Sequence, residues 1–220
     1  MRRAELICSA QGSYEAQRTS KGRSPGTFGA HPRVSGNGVQ VMPYTIDEHR
    51  HRFAAWAAAR ASSVNGCRFS VEQGKAILEA SGMNQLLVDP ANLPPPHLID
   101  TAHRKWRGAV IDSARGKGLN FSHGIAAKLI NVYLKASFVC GGHHSNERVR
   151  ALHPPIDAVL LNELSARNFG GLREAWNEAR RIRWSNFTSQ QYETVIMNIR
   201  TALGVNTPLW EIEQYWQGFQ

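Results

Sequence analysis

Two side chains have the types and the spacing for amine chemistry, Lys128 and Asp157. Lys128 falls between Ile125 and Val132 on a stripe that begins at Phe121 and ends at Ala136, all at helical spacing. An ammonium on an apolar face loses solvation, which lowers its pKa and frees the amine as a nucleophile. Asp157 follows Pro154-Pro155. Prolines fit the first turn of a helix, where their missing N–H groups would be unpaired anyway. A carboxylate in that first turn is favoured by the helix dipole. Each residue also has an ordinary explanation, a lysine that snorkels to water from the core edge and a simple capping acid. They lie on consecutive helices joined by one loop, so the two side chains can converge.

The positioning elements read as helices throughout. Thr45-Ile46-Asp47-Glu48 and Ser70-Val71-Glu72-Gln73 are capping boxes, each opening a helix. The first runs to about Ser63 with Phe53, Trp56, Ala57 and Ala61 on one face; Gly82 closes the second. Pro90, Pro94, Pro95 and Pro96 mark a rigid loop. A third helix runs from about Leu98 to Arg115, with His103, Arg104, Lys105 and Arg107 on its polar face. Next comes the glycine turn Gly116-Lys117-Gly118-Leu119-Asn120, and Ser122 caps a helix that reaches about Phe138. Cys140 to His153 reads as a polar loop, followed by the Pro-Pro helix with Ile156, Val159, Leu160 and Leu164. A basic helix spans 171–183, a helix capped by Thr188 carries Val195, Ile196, Ile199 and Leu203 to a stop at Gly204, and Thr207-Pro208 opens a last short helix. No alternating strand pattern and no repeat interrupts this order. The expected class is all-α, with about eight helices.

Composition narrows the partners. Twenty-six Lys and Arg face seventeen Asp and Glu, a formal net charge of +9. An excess of that size favours polyanions, nucleic acid first. Residues 1–41 hold six basic residues against two acidic ones, with no sustained apolar period, and read as a basic, disordered tail. Residues 42–220 read as one helical domain. Three widely spaced cysteines imply no disulfide framework, so a reducing, cytoplasmic compartment is expected. No apolar run approaches a membrane span, and no membrane partner is expected.

The glycine turn, then Gly124-x-x-x-Lys128, then Pro155-x-Asp157, resembles the helix-hairpin-helix DNA glycosylases, most of all their 8-oxoguanine branch with its archaeal form. The motifs span about 115–164. The resemblance implies an all-α glycosylase-like fold that binds duplex DNA as a monomer and flips a modified base into a pocket. It also implies that Lys128 attacks the sugar C1′, that Asp157 assists, and that strand cleavage can follow. Two departures stand out. The family's L-P-G-x-G hairpin proline is missing, and the loop before Asp157 is longer than usual and holds Cys140, His143 and His144.

Around that pair, Arg115, Gly116, Lys117, Gly118 and Ser122 are the candidates for a phosphate contact. Arg180, Arg181 and Arg183, with Arg173, form a second basic set. Trp56, Trp210 and Trp216 are candidate stacking partners for a base, and Glu213 a hydrogen-bonding one. Cys140, His143, His144 and His153 have spacing usable for zinc but lack a second ligand pair, so neither a metal nor another cofactor is expected. The readings in competition are a DNA glycosylase acting on 8-oxoguanine or a phage-type modified base, in repair or antiviral defence, a non-catalytic helix-hairpin-helix DNA-binding module, and a small zinc-stabilised interaction protein.

Overall fold

The computed structural model describes residues 44–218, so the basic tail at 1–41 lies outside the described residues. The chain divides into two units, Met1–Met42 and Pro43–Gln220. The second is all-helical. Its helices are α1 (Ile46–Ser62), α2 (Val71–Ala80), α3 (Ile99–Arg115), α4 (His123–Leu134), α5 (Glu147–Arg150), α6 (Ala158–Ala166), α7 (Arg173–Ile182) and α8 (Ser189–Leu203). Among the described residues there is no strand, only an isolated bridge between Val64 and Cys67. No helix there is long and apolar enough to cross a membrane.

Capping chemistry sets most of the starts. The side chains of Thr45, Ser70, Ser122 and Thr188 accept backbone N–H bonds at α1, α2, α4 and α8. The boxes at Ser70 and Thr188 are reciprocal, each with a glutamine three residues on. Gly204 ends α8 at φ +82, a conformation that costs other residues more.

Helix α4 is the axis of the domain. Ten of its twelve residues are buried, so it is apolar nearly all round and must be enclosed by neighbours. It packs on α1, α3, α8 and the tight turn Trp184–Asn186. One core gathers side chains of α1–α4, and a second gathers those of α6–α8 together with Ala127 of α4. Gly124 explains how closely α4 meets the turn. A Cβ there would sit 1.7 Å from the Trp184 carbonyl oxygen, so only glycine fits.

Several local expectations are corrected. The buried face of α1 is His51, Ala54, Ala55, Ala58, Ala59 and Ser62, while Phe53 and Trp56 are about half exposed. Small alanines let α4 approach closely, and the large rings are turned out. On α3, Arg104 and Lys105 are exposed as expected, but His103 and Arg107 are fully buried. Beyond Leu134, α4 runs into a wider-wound stretch, Lys135–His143, broken at Gly142 with φ +90. The segment expected to be a polar loop holds α5 and buries Val149, Leu152 and His153. Pro154 and Pro155 precede α6 and do not form its first turn, which leaves Asp157 as the N-cap. The final helix is a tight-wound stretch, Leu209–Tyr215.

Candidate active site

The amine of Lys128 lies 2.9 Å from Asp157 Oδ2, so the two residues read from sequence do meet. Lys128 is 7% exposed, and its amine sits 4.6 Å from the centroid of the Trp184 ring. The close fit of Gly124 against Trp184 therefore also fixes the ring that covers the lysine. Arg183, just before Trp184, takes φ +69 and ψ 128, a sparsely populated conformation that costs about 1–3 kcal/mol. That strain turns the chain from α7 toward α4.

Asp157 is held by three donors. As N-cap it accepts the Leu160 N–H at Oδ1, 2.9 Å away. Its other oxygen accepts from Lys128 and, also at 2.9 Å, from the Trp216 indole. Burial alone would raise this carboxyl, but Lys128, the Leu160 amide and the indole outweigh it and hold the group below its ordinary value. For Lys128 the balance runs the other way. Burial lowers its pKa, Asp157 opposes this, and the amine ends below an ordinary lysine.

The pair opens on a pocket of about 230 Å³. Its walls are small and apolar, from Ala57 and Ala61 of α1, Val132 of α4, Ala136 and Pro155. Lys135, Cys140, Glu213 and Trp216 complete it. Lys135 pairs with Glu213, whose carboxyl is nonetheless pushed up by burial. Four larger hollows, of about 590, 340, 330 and 280 Å³, lie elsewhere, and none of these four is lined by a lysine.

Of the side chains expected around a base, Glu213 and Trp216 line this pocket. Trp56 and Trp210 do not: Trp56 lies tilted against Phe53 on the outer side of α1, and Trp210 meets the His144 ring edge-on. Residues not assigned to the site from sequence also take part. Lys135 lies two turns beyond Lys128, a spacing that was readable. Trp184 and the small α1 wall were not, because they come from distant segments.

The glycine turn between α3 and α4 has Gly118 at φ +73. Its amides are not offered outward as expected. The N–H groups of Gly116, Lys117 and Gly118 bond back to Asp112, Ala114 and Arg115 carbonyls, closing the end of α3. Arg115 is exposed and paired with Asp112. Ser122 is committed to its cap and also donates to the Ser185 carbonyl at 2.6 Å. Arg180 bonds Asn162 at 2.6 Å and Asn177 at 3.1 Å, Arg181 pairs with Glu178, and Arg183 is exposed. Cys140, His143 and His144 are exposed, while His153 is buried against Asp100 and Tyr192. Among the described residues no cluster of three His, Cys, Asp or Glu side chains could hold a metal ion.

Comparison with protein-family models, with curated proteins and with solved structures returned no match, so the site rests on its own geometry.

Proposed function

We propose that this protein is a DNA glycosylase of helix-hairpin-helix type, with lyase activity, that removes a modified base from duplex DNA. The observation that carries the reading is a buried lysine amine 2.9 Å from a carboxylate, both opening on one small apolar-walled pocket. A volume of about 230 Å³ lies below the roughly 300–1,000 Å³ of sites for drug-sized ligands, which suits a single flipped base. The order glycine turn, Gly124-x-x-x-Lys128, Pro155-x-Asp157 is the one on which the sequence resemblance rests, and the turn lies between α3 and α4. The net charge of +9 favours a polyanionic partner.

The chemistry follows from the two pKa directions. The nucleotide is extruded at a cost of about a few kcal/mol. The deprotonated form of Lys128, which burial favours, gives its lone pair to C1′, and the glycosidic bond breaks with its electron pair leaving on the base, which takes up the proton that the attacking nitrogen sheds. Positive charge on the sugar peaks as that bond breaks, and the Asp157 carboxylate, kept ionised by its three donors, stabilises it. The C1′–N adduct then opens its sugar ring. The C1′–O4′ bond breaks, O4′ is protonated, and a Schiff base to Lys128 remains. Hydrolysis returns the lysine and an abasic site, whereas β-elimination cuts the strand. Trp216 and the Lys135–Glu213 pair sit where they can contact the base.

The test uses duplex oligonucleotides carrying 8-oxoguanine or bulky modified cytosines, with borohydride to reduce the Schiff base to a stable amine. The wild-type chain is expected to give a covalent adduct with at least one duplex, and Lys128→Gln none. An adduct that persists in Lys128→Gln overturns the assignment of the nucleophile. Duplex binding with neither adduct nor base release overturns the enzyme reading and leaves a DNA-binding module.

A further inference from the structure

One helical turn beyond Lys128, the buried side chain of Asn131 makes three hydrogen bonds to three separate segments. Its Nδ2 donates to the Pro154 carbonyl at 2.8 Å and to Tyr192 Oη at 2.9 Å, and its Oδ1 lies 2.7 Å from His103 Nε2. Pro154 is three residues before Asp157, as Asn131 is three residues after Lys128. The Asn131–Pro154 and Lys128–Asp157 bonds are therefore two rungs between the same two stretches of chain, α4 and the extended approach to α6.

Proton positions in this cluster follow by elimination. A carbonyl only accepts, so the Asn131 amide must present Nδ2 to Pro154 and Oδ1 to His103. His103 then carries its proton on Nε2. Tyr192 accepts from Asn131, so its own O–H is available to His153 Nδ1 at 3.0 Å. His153 in turn donates from Nε2 to Asp100 at 2.7 Å, and Asp100 is gripped by Arg200 at 2.6 and 2.7 Å. Every polar atom of Asn131 has a matched partner, and His103 and His153 are both held neutral, mainly by burial. The residue just before Pro154 is thus pinned to α3 and α8 while Pro154 itself is pinned to α4.

We propose that Asn131 is a positioning residue that holds the Asp157-bearing segment against α4 and thereby sets the Lys128–Asp157 distance. This rests on reading Lys128 and Asp157 as the reactive pair. Burial lowers the lysine's pKa most; Asp157 is the main charge that raises it again, Glu213 adds to Asp157 and Lys135 opposes it. If the upper rung is lost and Asp157 moves away, the lysine titrates at lower pH.

The experiment is an NMR pH titration of the Lys128 side chain in the full-length protein labelled at lysine Cε, its signal assigned by its absence from Lys128→Gln. In Asn131→Ala the midpoint is expected to move to lower pH than in wild type, and the yield of borohydride-trapped adduct to fall roughly tenfold or more. Tyr192→Phe is the control. It removes a hydroxyl from the same cluster but leaves the bond to Pro154, so the Lys128 midpoint is expected to stay at the wild-type value. Should Asn131→Ala not fold, Asn131→Leu fills the amide's volume without its donors and serves the same comparison. An unmoved midpoint in the Asn131 variants, or equal movement in Tyr192→Phe, overturns the proposal. The titration needs no substrate, so a wild type that forms no adduct counts against the glycosylase reading and not against this one.

Discussion

Two polar clusters sit one turn apart on α4 and are built on opposite principles. At Asn131 every polar atom of the amide is matched, and its partners come from α3, α8 and the approach to α6. Around Lys128 the amine meets one carboxylate and one ring, and the space beside it is a cavity. A matched buried network stiffens a core and fixes a single arrangement. A buried ion pair left beside a cavity gains little stability from its burial. The contrast separates frame from candidate site: the first cluster ties α3, α4 and α8 together, and the second borders a cavity.

The comparison breaks most sharply at Asp157. On the proposed mechanism Asp157→Asn removes the charge that would stabilise the developing cation, and base excision is expected to fall by roughly 100- to 1,000-fold. Single-turnover kinetics on the modified duplex measure this, and a loss under tenfold would remove Asp157 from the chemistry. Next is Gly124→Ala, which leaves all the polar groups in place. Its methyl would collide with the Trp184 carbonyl, so the expected cost is about 3 kcal/mol in urea unfolding, with Trp184 displaced from Lys128. A variant within 0.5 kcal/mol of wild type, taken as roughly the scatter of surface changes, would mean that the turn moves freely.

The smallest expected effect tests the Asn131 side of the contrast by pH. His103 and His153 are neutral in the fold and have pKa values below that of an unfolded histidine. The unfolded chain therefore binds more protons as pH falls below about 6.5, and stability is lost in that direction. Asp100 and Glu193 have depressed pKa values, Asp100 through the His153 and Arg200 bonds that outweigh its burial, and Glu193 to about 2 chiefly through Arg104. Their contribution is present above the unfolded carboxylate range near 4 and lost as pH drops through the folded values. Melting temperature should thus decline in two stages, first between about pH 7 and 5, then below about pH 4. A flat profile from pH 7 to 5 would show that the buried histidines are not held neutral.

Much of the scaffold was legible. The caps at Thr45, Ser70, Ser122 and Thr188 and the stop at Gly204 were visible because capping is local, a side chain bonding an amide two or three residues on. The face of α1 was not. In an alanine-rich helix the hydrophobic pattern is weak, and the aromatic rings drew the reading to the wrong side. His103 and Arg107 read as surface charges because their partners, Asn131 and Glu193, lie 28 and 86 residues away in the chain. Trp216 was readable as a pocket residue but not as a donor to Asp157, 59 residues before it.

The sequence by itself determined the all-helical class, the helix starts capped by Thr45, Ser70, Ser122 and Thr188, the basic balance and the order of lysine and aspartate, because each depends on neighbours within a turn or two or on composition alone. Only the tertiary structure decided that Lys128 meets Asp157, that Trp184 covers the amine, and that alanines of α1 wall the pocket. Those contacts depend on how closely α4 approaches its neighbours, and that approach is allowed by Gly124 against Trp184 and by the small alanines of α1.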